Sequence, residues 1–205
     1  DKENNFVNLI SSLTGLEKNE SLNEFNKSQE RLFYFASMAD KYEGNVHNPP
    51  IRGLTLAIKE SIGVVTTILD DQFPLLSLIT VLGANFATGN ASIIVPGEKT
   101  SLIASEIYNL LDTSDVPAGF VNILTTKQNS LNKILSEHEN IDGIWLFSHN
   151  ELERRKLVNN TASNLKRYWC PNSTNLNWYN DEETFLNEFL YQSTQIKNIW
   201  IPYGE

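Results

Sequence analysis

Ser61-Ile-Gly-Val-Val-Thr-Thr-Ile-Leu-Asp-Asp-Gln-Phe-Pro-Leu-Leu76, an apolar run, and then Gly89-Asn-Ala-Ser-Ile-Ile-Val95 decide the fold. Ile62 to Leu69 is short, β-branched and almost continuously apolar, the mark of a strand buried on both faces in a parallel sheet. From Leu75 to Phe86 the residues Leu75, Leu78, Ile79, Leu82 and Phe86 return at helical spacing. Gly89 and Asn90 both tolerate the left-handed conformation that ends helices. Ile93 to Val95 is strand again. The stretch is therefore a βαβ unit, expected to cross over right-handed. Sheets built from such units bind ligands outside the carboxyl ends of their strands. That puts the functional question at Asp70, Asp71 and Gln72 on one loop, and at Gly97 and Glu98 on the next.

Toward the C-terminus the alternation continues. Ser101 to Leu111 predicts an amphipathic helix, Phe120 to Thr125 a third strand, Ser130 to His138 a helix and Gly143 to Phe147 a fourth strand. Asn150 is placed to cap a helix running to about Ala162, and Leu165 to Cys170 reads as a fifth strand. The fold class is α/β, with a doubly wound, Rossmann-like parallel sheet of about five strands. Toward the N-terminus, Phe6 to Leu13 predicts a short helix ended by Gly15. Ser21, with Glu24 three residues on, has capping-box spacing and opens a long helix to about Tyr42. His47-Asn-Pro-Pro50 is a loop. Leu54, Leu56 and Ile58 alternate with Thr55, Ala57 and Lys59, as in a half-exposed strand pairing antiparallel outside the main sheet. Pro171 to Asn180 is turn-prone. Glu182 to Ile196 predicts a last helix, and Asn198 to Tyr203 a final strand in which Trp200 needs a surface to bury against.

Composition narrows the class. The chain has 205 residues, 40% hydrophobic and 20% charged, enough for one compact domain with a substantial core. A formal net charge of −9 and a pI near 4.9 argue against nucleic-acid and anionic-membrane partners, which need basic patches. One cysteine, Cys170, supplies neither a disulfide framework nor a Cys-based metal site, and points to a reducing, cytoplasmic setting. Asn-x-Ser/Thr triplets begin at several asparagines, Asn19, Asn90, Asn159 and Asn172 among them, as chance predicts in an Asn-rich chain. No signal peptide is visible, and no apolar run reaches membrane-spanning length. The sequence starts at Asp1 rather than Met, and a piece of a longer protein is expected.

An ordered set of short motifs then adds a resemblance. Phe33-Tyr-Phe-Ala36, Ala39-Asp-Lys-Tyr-Glu-Gly44, Ser61-Ile-Gly-Val-Val65, Phe73-Pro-Leu-Leu76, Ala87-Thr-Gly-Asn90, Pro117-Ala-Gly-Phe-Val-Asn-Ile123 and Asn164-Leu-Lys-Arg167 follow one another collinearly. Together they resemble the aldehyde dehydrogenase superfamily over roughly Ser28 to Arg167. Asn48-Pro-Pro-Ile-Arg-Gly53 and the ending Gln195 to Glu205 are similar to the truncated second, C-terminal domain of the two-domain (family sixteen) members. The resemblance implies one compact domain. Its parts are N-terminal helices over 1–46, a Rossmann-like core over 61–170, and hairpin or oligomerisation elements over 47–60 and 171–205. It also implies NAD or NADP as the parent's cofactor, and a catalytic aldehyde dehydrogenase domain of the same polypeptide as partner, within a homo-oligomer such as a dimer.

Position by position, the same resemblance removes the chemistry. Active members carry Trp-Asn before Phe-Pro, the Asn donating to the developing oxyanion; here the residues are Asp71 and Gln72. The family's Lys-Pro-Ser-Glu reads Val95-Pro-Gly-Glu98, which loses the Lys and keeps the acid. Glu98 is thus the one cofactor-binding candidate, as acceptor for a ribose hydroxyl, with helix-entry capping as the alternative. The glycines of Phe-Thr-Gly-Ser-Thr-Glu-x-Gly are absent from Leu146 to Glu153, so close approach of a phosphate is obstructed. The acid of Glu-Leu-Gly-Gly-Lys is absent from Trp169 to Ser173, and Cys170 is not the family's nucleophile. No catalytic residue is expected. His47, His138 and His149 lack metal-ligand spacing, and Asp70, Asp71 and Glu98 form a cation site only if the loops bring them together. The reading is a non-catalytic domain with a role in structure and assembly. The alternative is a residual NAD(P)-binding module or part-site.

Overall fold

The computed structural model describes residues 2–50, 52–148, 150–171 and 176–203. The chain opens with α1 (Glu3–Thr14) and α2 (Lys18–Met38), then β1 (Asn45–His47) and β2 (Gly53–Ser61). The alternating part is β3 (Val64–Ile68), α3 (Pro74–Thr88), β4 (Ala91–Val95), α4 (Ile103–Asp112), β5 (Val121–Ile123), α5 (Gln128–Glu137), β6 (Gly143–Leu146), α6 (Glu151–Thr161) and β7 (Arg167–Trp169). It closes with α7 (Glu183–Gln192) and β8 (Thr194–Pro202). The main sheet is parallel and ordered β5-β4-β3-β6-β7. That is the doubly wound order, whose direction of winding reverses between β3 and β6.

β3 and α3 carry the core because their sequences leave no polar face. Val65, Thr66, Thr67 and Ile68 are all buried, as are Leu75, Leu76, Leu78, Val81, Leu82 and Ala84. Phe73 precedes the helix in the left-handed region (φ 46°), and Pro74 follows at the first helical position, where its missing N–H costs nothing. Gly89 ends the helix in the left-handed conformation, as its sequence predicts. A Cβ at Gly83 would lie 2.6 Å from Phe35 Cδ2, so this glycine sets how closely α3 approaches α2. Asn90, fully buried, accepts from Gly63 N–H at 2.9 Å and donates to Ser193 O at 2.7 Å. It ties the start of β3 to the end of α7, and its burial removes it as a glycan acceptor.

α7 belongs to this core. Its Phe189 meets Trp145, Phe147, Trp169, Trp178 and Phe185 at ring-centroid distances of 5.0–6.2 Å. Such pairs add about 0.5–1.5 kcal/mol each beyond area burial. The segment before α7 is held by Arg31, which is 1% exposed. It donates to Trp178 O at 3.0 Å and Asn180 O at 3.1 Å and pairs with Asp181 at 3.2 Å.

Four expectations need correction. α2 starts at Lys18, not after Ser21: Glu17 is the cap and exchanges bonds with Glu20, while the Ser21 hydroxyl donates back to Glu17 O. Its last full turn ends at Met38, short of Tyr42. α7 ends at Gln192 rather than Ile196, because the Ser193 and Thr194 hydroxyls donate to Leu190 O and the chain then pairs with β2. β8 consequently pairs nine residues, Thr194↔Ser61 through Pro202↔Gly53, in an antiparallel sheet ordered β1-β2-β8. Trp200 finds no cover there and remains 59% exposed.

A candidate functional site filled by the chain itself

Four helices start at the carboxyl edge of the parallel sheet. The N–H groups of a helix's first turn have no partners within the helix, and with the helix dipole they make an anion site. Here side-chain acceptors already sit on N–H groups at the entries of α3, α5 and α6, and in the turn before α4. At α3, Glu24 Oε1 accepts from Leu75 N–H at 2.8 Å and Leu76 N–H at 3.2 Å. Glu24 reaches across from α2 and is fully buried. Burial pushes its carboxyl above the usual range, against the lowering effect of those two N–H bonds. In the turn leading to α4, Asp71 Oδ1 accepts from Lys99 N–H at 2.8 Å. At α5, Glu98 Oε1 accepts from Gln128 N–H at 2.9 Å. At α6, Asn150 Oδ1 accepts from Leu152 N–H at 3.0 Å, and the Ser148 hydroxyl donates to Glu153 at 2.9 Å.

The loops also close on one another. The Gln128 side-chain amide donates to Leu69 O at 2.6 Å and Pro96 O at 3.1 Å, bridging the ends of β3 and β4. A Cβ at Gly97 would lie 2.4 Å from Asp71 Oδ1, 2.5 Å from Asp70 O and 2.7 Å from Asp71 Cα. The loops after β3 and β4 therefore touch through a glycine. Replacing Gly97 by Ser is expected to cost about 1–3 kcal/mol, because two of those three atoms are backbone and cannot rotate away. Urea unfolding measures it, and an unchanged midpoint would mean the two loops separate freely. At the winding reversal, a cavity bounded by Asp70, Leu146, Phe147, Ser148, Arg154 and Trp178 measures about 20 Å³. That is room for about one water molecule, whereas sites for small ligands span roughly 300–1,000 Å³.

The acidic residues singled out in the sequence thus lie on the rim without forming a cation site. Asp70 Oδ1 accepts from Gln72 N–H at 2.9 Å, Asp71 faces the turn into α4, and Glu98 faces α5. Among the described residues no group of three His, Cys, Asp or Glu is arranged to hold a metal. His138 Nδ1 accepts from Asn140 N–H, His47 is exposed on β1, and His149 lies outside the described residues. Cys170 is half-buried and packs against the cluster around Ile144 and Leu146. Burial pushes its thiol up, the opposite of what a nucleophile needs. Glu24 and Gln128 escaped the sequence reading. For Glu24 a signal exists: it shares the inward face of α2 with Ser21, Phe25 and Ser28, and a carboxylate there must find donors. Gln128 has no local signal.

The Aldehyde dehydrogenase family profile matches residues 1–170. The chain belongs to the aldehyde dehydrogenase family. It is 31% identical over 136 residues to the NADP/NAD-dependent aldehyde dehydrogenase PuuC of Escherichia coli, covering 66% of this chain and 28% of that protein. It is 34% identical over 138 residues to human mitochondrial aldehyde dehydrogenase, covering 66% and 26%. Among solved structures, PnpE from Pseudomonas sp. WBC-3 in complex with nicotinamide adenine dinucleotide matches with a TM-score of 0.78 at 29% identity, over 82% of this chain and 35% of that one. Betaine aldehyde dehydrogenase of Staphylococcus aureus in complex with NAD+ matches with a TM-score of 0.77 at 25% identity, over 82% and 34%. The chain thus spans about a quarter to a third of these relatives' length.

A side chain at position 97 would meet Asp71 Oδ1 and the backbone of Asp70 and Asp71, whichever residues stood there. At the switch point the cavity of about 20 Å³ leaves no room for the pyrophosphate of NAD or NADP, and the entries of α3, α5 and α6 each carry a side-chain acceptor. Two grooves of ligand size do adjoin the rim. One measures about 600 Å³ between α5 and α6, lined by Asn129, Asn132, Lys133, Asn150, Glu153 and Lys156 among others, and the other about 390 Å³ at the end of β7, lined by Cys170, Pro171, Phe185 and Glu188 among others.

Proposed function

We propose that this chain is a non-catalytic aldehyde-dehydrogenase-like domain whose role is structure and assembly. It serves a larger, cytoplasmic NAD(P)-dependent aldehyde dehydrogenase as the second module of a two-domain polypeptide. It packs on the catalytic module of the same polypeptide, within a homo-oligomer. The observation that carries the reading is the self-filled rim: Glu24, Glu98 and Asn150 accept from N–H groups at the entries of α3, α5 and α6, and Asp71 from Lys99 N–H in the turn before α4. The three-stranded sheet is the part that supports assembly, since β1, Ile58, Ile196, Trp200 and Ile201 are exposed.

Calorimetric titration with NAD and with NADP tests this. No saturable heat is expected at millimolar nucleotide, and no aldehyde-dependent NADH formation. Saturable binding that weakens in Glu98→Ala would instead support the second reading, a residual nucleotide module. The α5–α6 groove favours that reading, because it is large enough for a nucleoside-sized ligand and opens beside the helix entry that Glu98 caps.

A further inference from the structure

A doubly wound sheet takes its ligand outside the strand ends where the winding reverses. In this chain one short segment between β7 and α7 lies across that place. Leu176 and Trp178 close the crevice whose other walls include Asp70 after β3, and Leu146, Phe147 and Ser148 at the end of β6. Trp178 is 1% exposed, and its ring meets Phe147 at 5.1 Å between centroids. The next residue, Tyr179, sets its ring edge-on to Phe73, 5.2 Å away, just before α3. We infer that residues 176–181 form an internal strap, in which Trp178 fills the crevice as a built-in aromatic ligand and Asp181 latches the segment to α2.

The way the strap is held separates it from the core beneath. Residues 176–181 belong to no strand of either sheet. Their own bonds are local: Asn180 N–H donates to Asn177 O at 3.0 Å, and Tyr179 N–H to the Asn177 side chain at 3.1 Å. The rest of the attachment comes from α2. Arg31 donates to Trp178 O and Asn180 O, and Asp181 pairs with both Lys27 and Arg31. Asp181 is largely exposed, so its ion pairs are the part of the attachment that water and salt reach. A segment held by side chains rather than by a ladder opens at lower cost than the sheet it covers. Lifting it uncovers the ring of Phe147 beside Asp70 and Arg154. A flat aromatic ring is the group that fits there, since an indole already lies against that wall. This inference deepens the self-filled reading above by naming what keeps the switch point shut.

Backbone hydrogen exchange of the whole chain reads the latch. Asp181→Ala removes two exposed ion pairs and should speed exchange in residues 176–181 roughly 2–30-fold, with β3, β4 and β6 at the parent rate. High salt should speed exchange in the same residues of the parent chain and add little to Asp181→Ala. Trp178→Gly should take up free indole saturably, and indole should raise the melting temperature of that variant but not of the parent chain. Exchange in 176–181 that Asp181→Ala leaves unchanged, or that rises equally in the sheet, would overturn the inference. So would a folded Trp178→Gly chain that takes up no indole; if that variant does not fold, the exchange comparison decides alone. Titration of the parent chain with NAD is a separate result: saturable binding there removes the non-catalytic reading, while the strap is judged by exchange and indole uptake.

Discussion

Replacing Arg31 by Ala is expected to lower unfolding stability by about 3 kcal/mol, from two carbonyls left without their donor and the packing of a buried stem lost. Arg31 is almost fully buried, yet Asp181 is largely exposed, so screening by water leaves the ion pair a minor part of the effect. The larger part lies with Trp178 O and Asn180 O, which the guanidinium satisfies at 3.0 and 3.1 Å. Their loss frees the segment that brings Trp178 into the aromatic cluster around Phe189. Burial lowers the Arg31 pKa, but a guanidinium stays charged in any accessible range. For a chain of this length the melting temperature should fall by roughly 6–12 °C. Arg31→Met should recover only the share owed to packing of the stem. If Arg31→Ala melts with the parent chain, the tether is not holding α2 to the segment before α7.

Glu24 gives the second large effect, and its sign depends on pH. Glu24→Ala removes the acceptor of two buried N–H groups and leaves a gap at the entry of the central helix, which should cost about 2–4 kcal/mol. Glu24→Gln keeps an oxygen for Leu75 and Leu76 N–H. It sets an amide where Glu24 Oε2 has no protein partner among the described residues. The Glu24 pKa is raised above 4.5 on folding. Between 4.5 and the folded value the native chain therefore holds a proton that the unfolded chain has lost. Stability from this group is present in full below 4.5 and declines as pH rises through that window. Glutamine does not titrate. The deficit of Glu24→Gln should be largest in acid and shrink as pH rises from about 4 toward neutrality. Urea unfolding of both chains across that range reads the difference, and a gap that widens with pH would reverse the assignment.

What the sequence disclosed and what it hid divide along contact range. β3, α3 and β4 were legible because burial on both faces leaves a continuous apolar run, and Gly89 ends the helix by its own backbone freedom. The Asn150 cap was legible for the same reason: cap and helix are neighbours in sequence. The end of α7 was not. Phe185, Phe189 and Ser193 keep helical spacing, and only pairing with β2, far earlier in the chain, decides that Thr194 onward is strand. The rim was half legible. The departures from the family motifs at Asp71, Gln72 and Val95 stand in the sequence, but the contacts that cover the rim do not. Glu24 reaches α3 from another helix, and Gln128 reaches two strand ends at once.

The antiparallel pairing of residues 53–61 with residues 194–202 joins the first long strand of the chain to the last. Everything between them, including the whole parallel sheet, is synthesised while β2 lacks its main neighbour. Contacts this far apart in sequence form late, after the loop they close has paid its entropy. Until they form, Leu54, Leu56 and Ile58 stand beside an open edge, the kind of surface through which nascent chains aggregate. Pairing of Thr194–Pro202 with β2 is therefore what covers that edge. A chain cut before Thr194 is expected to keep only the short β1 beside β2 and to aggregate more readily than the whole chain.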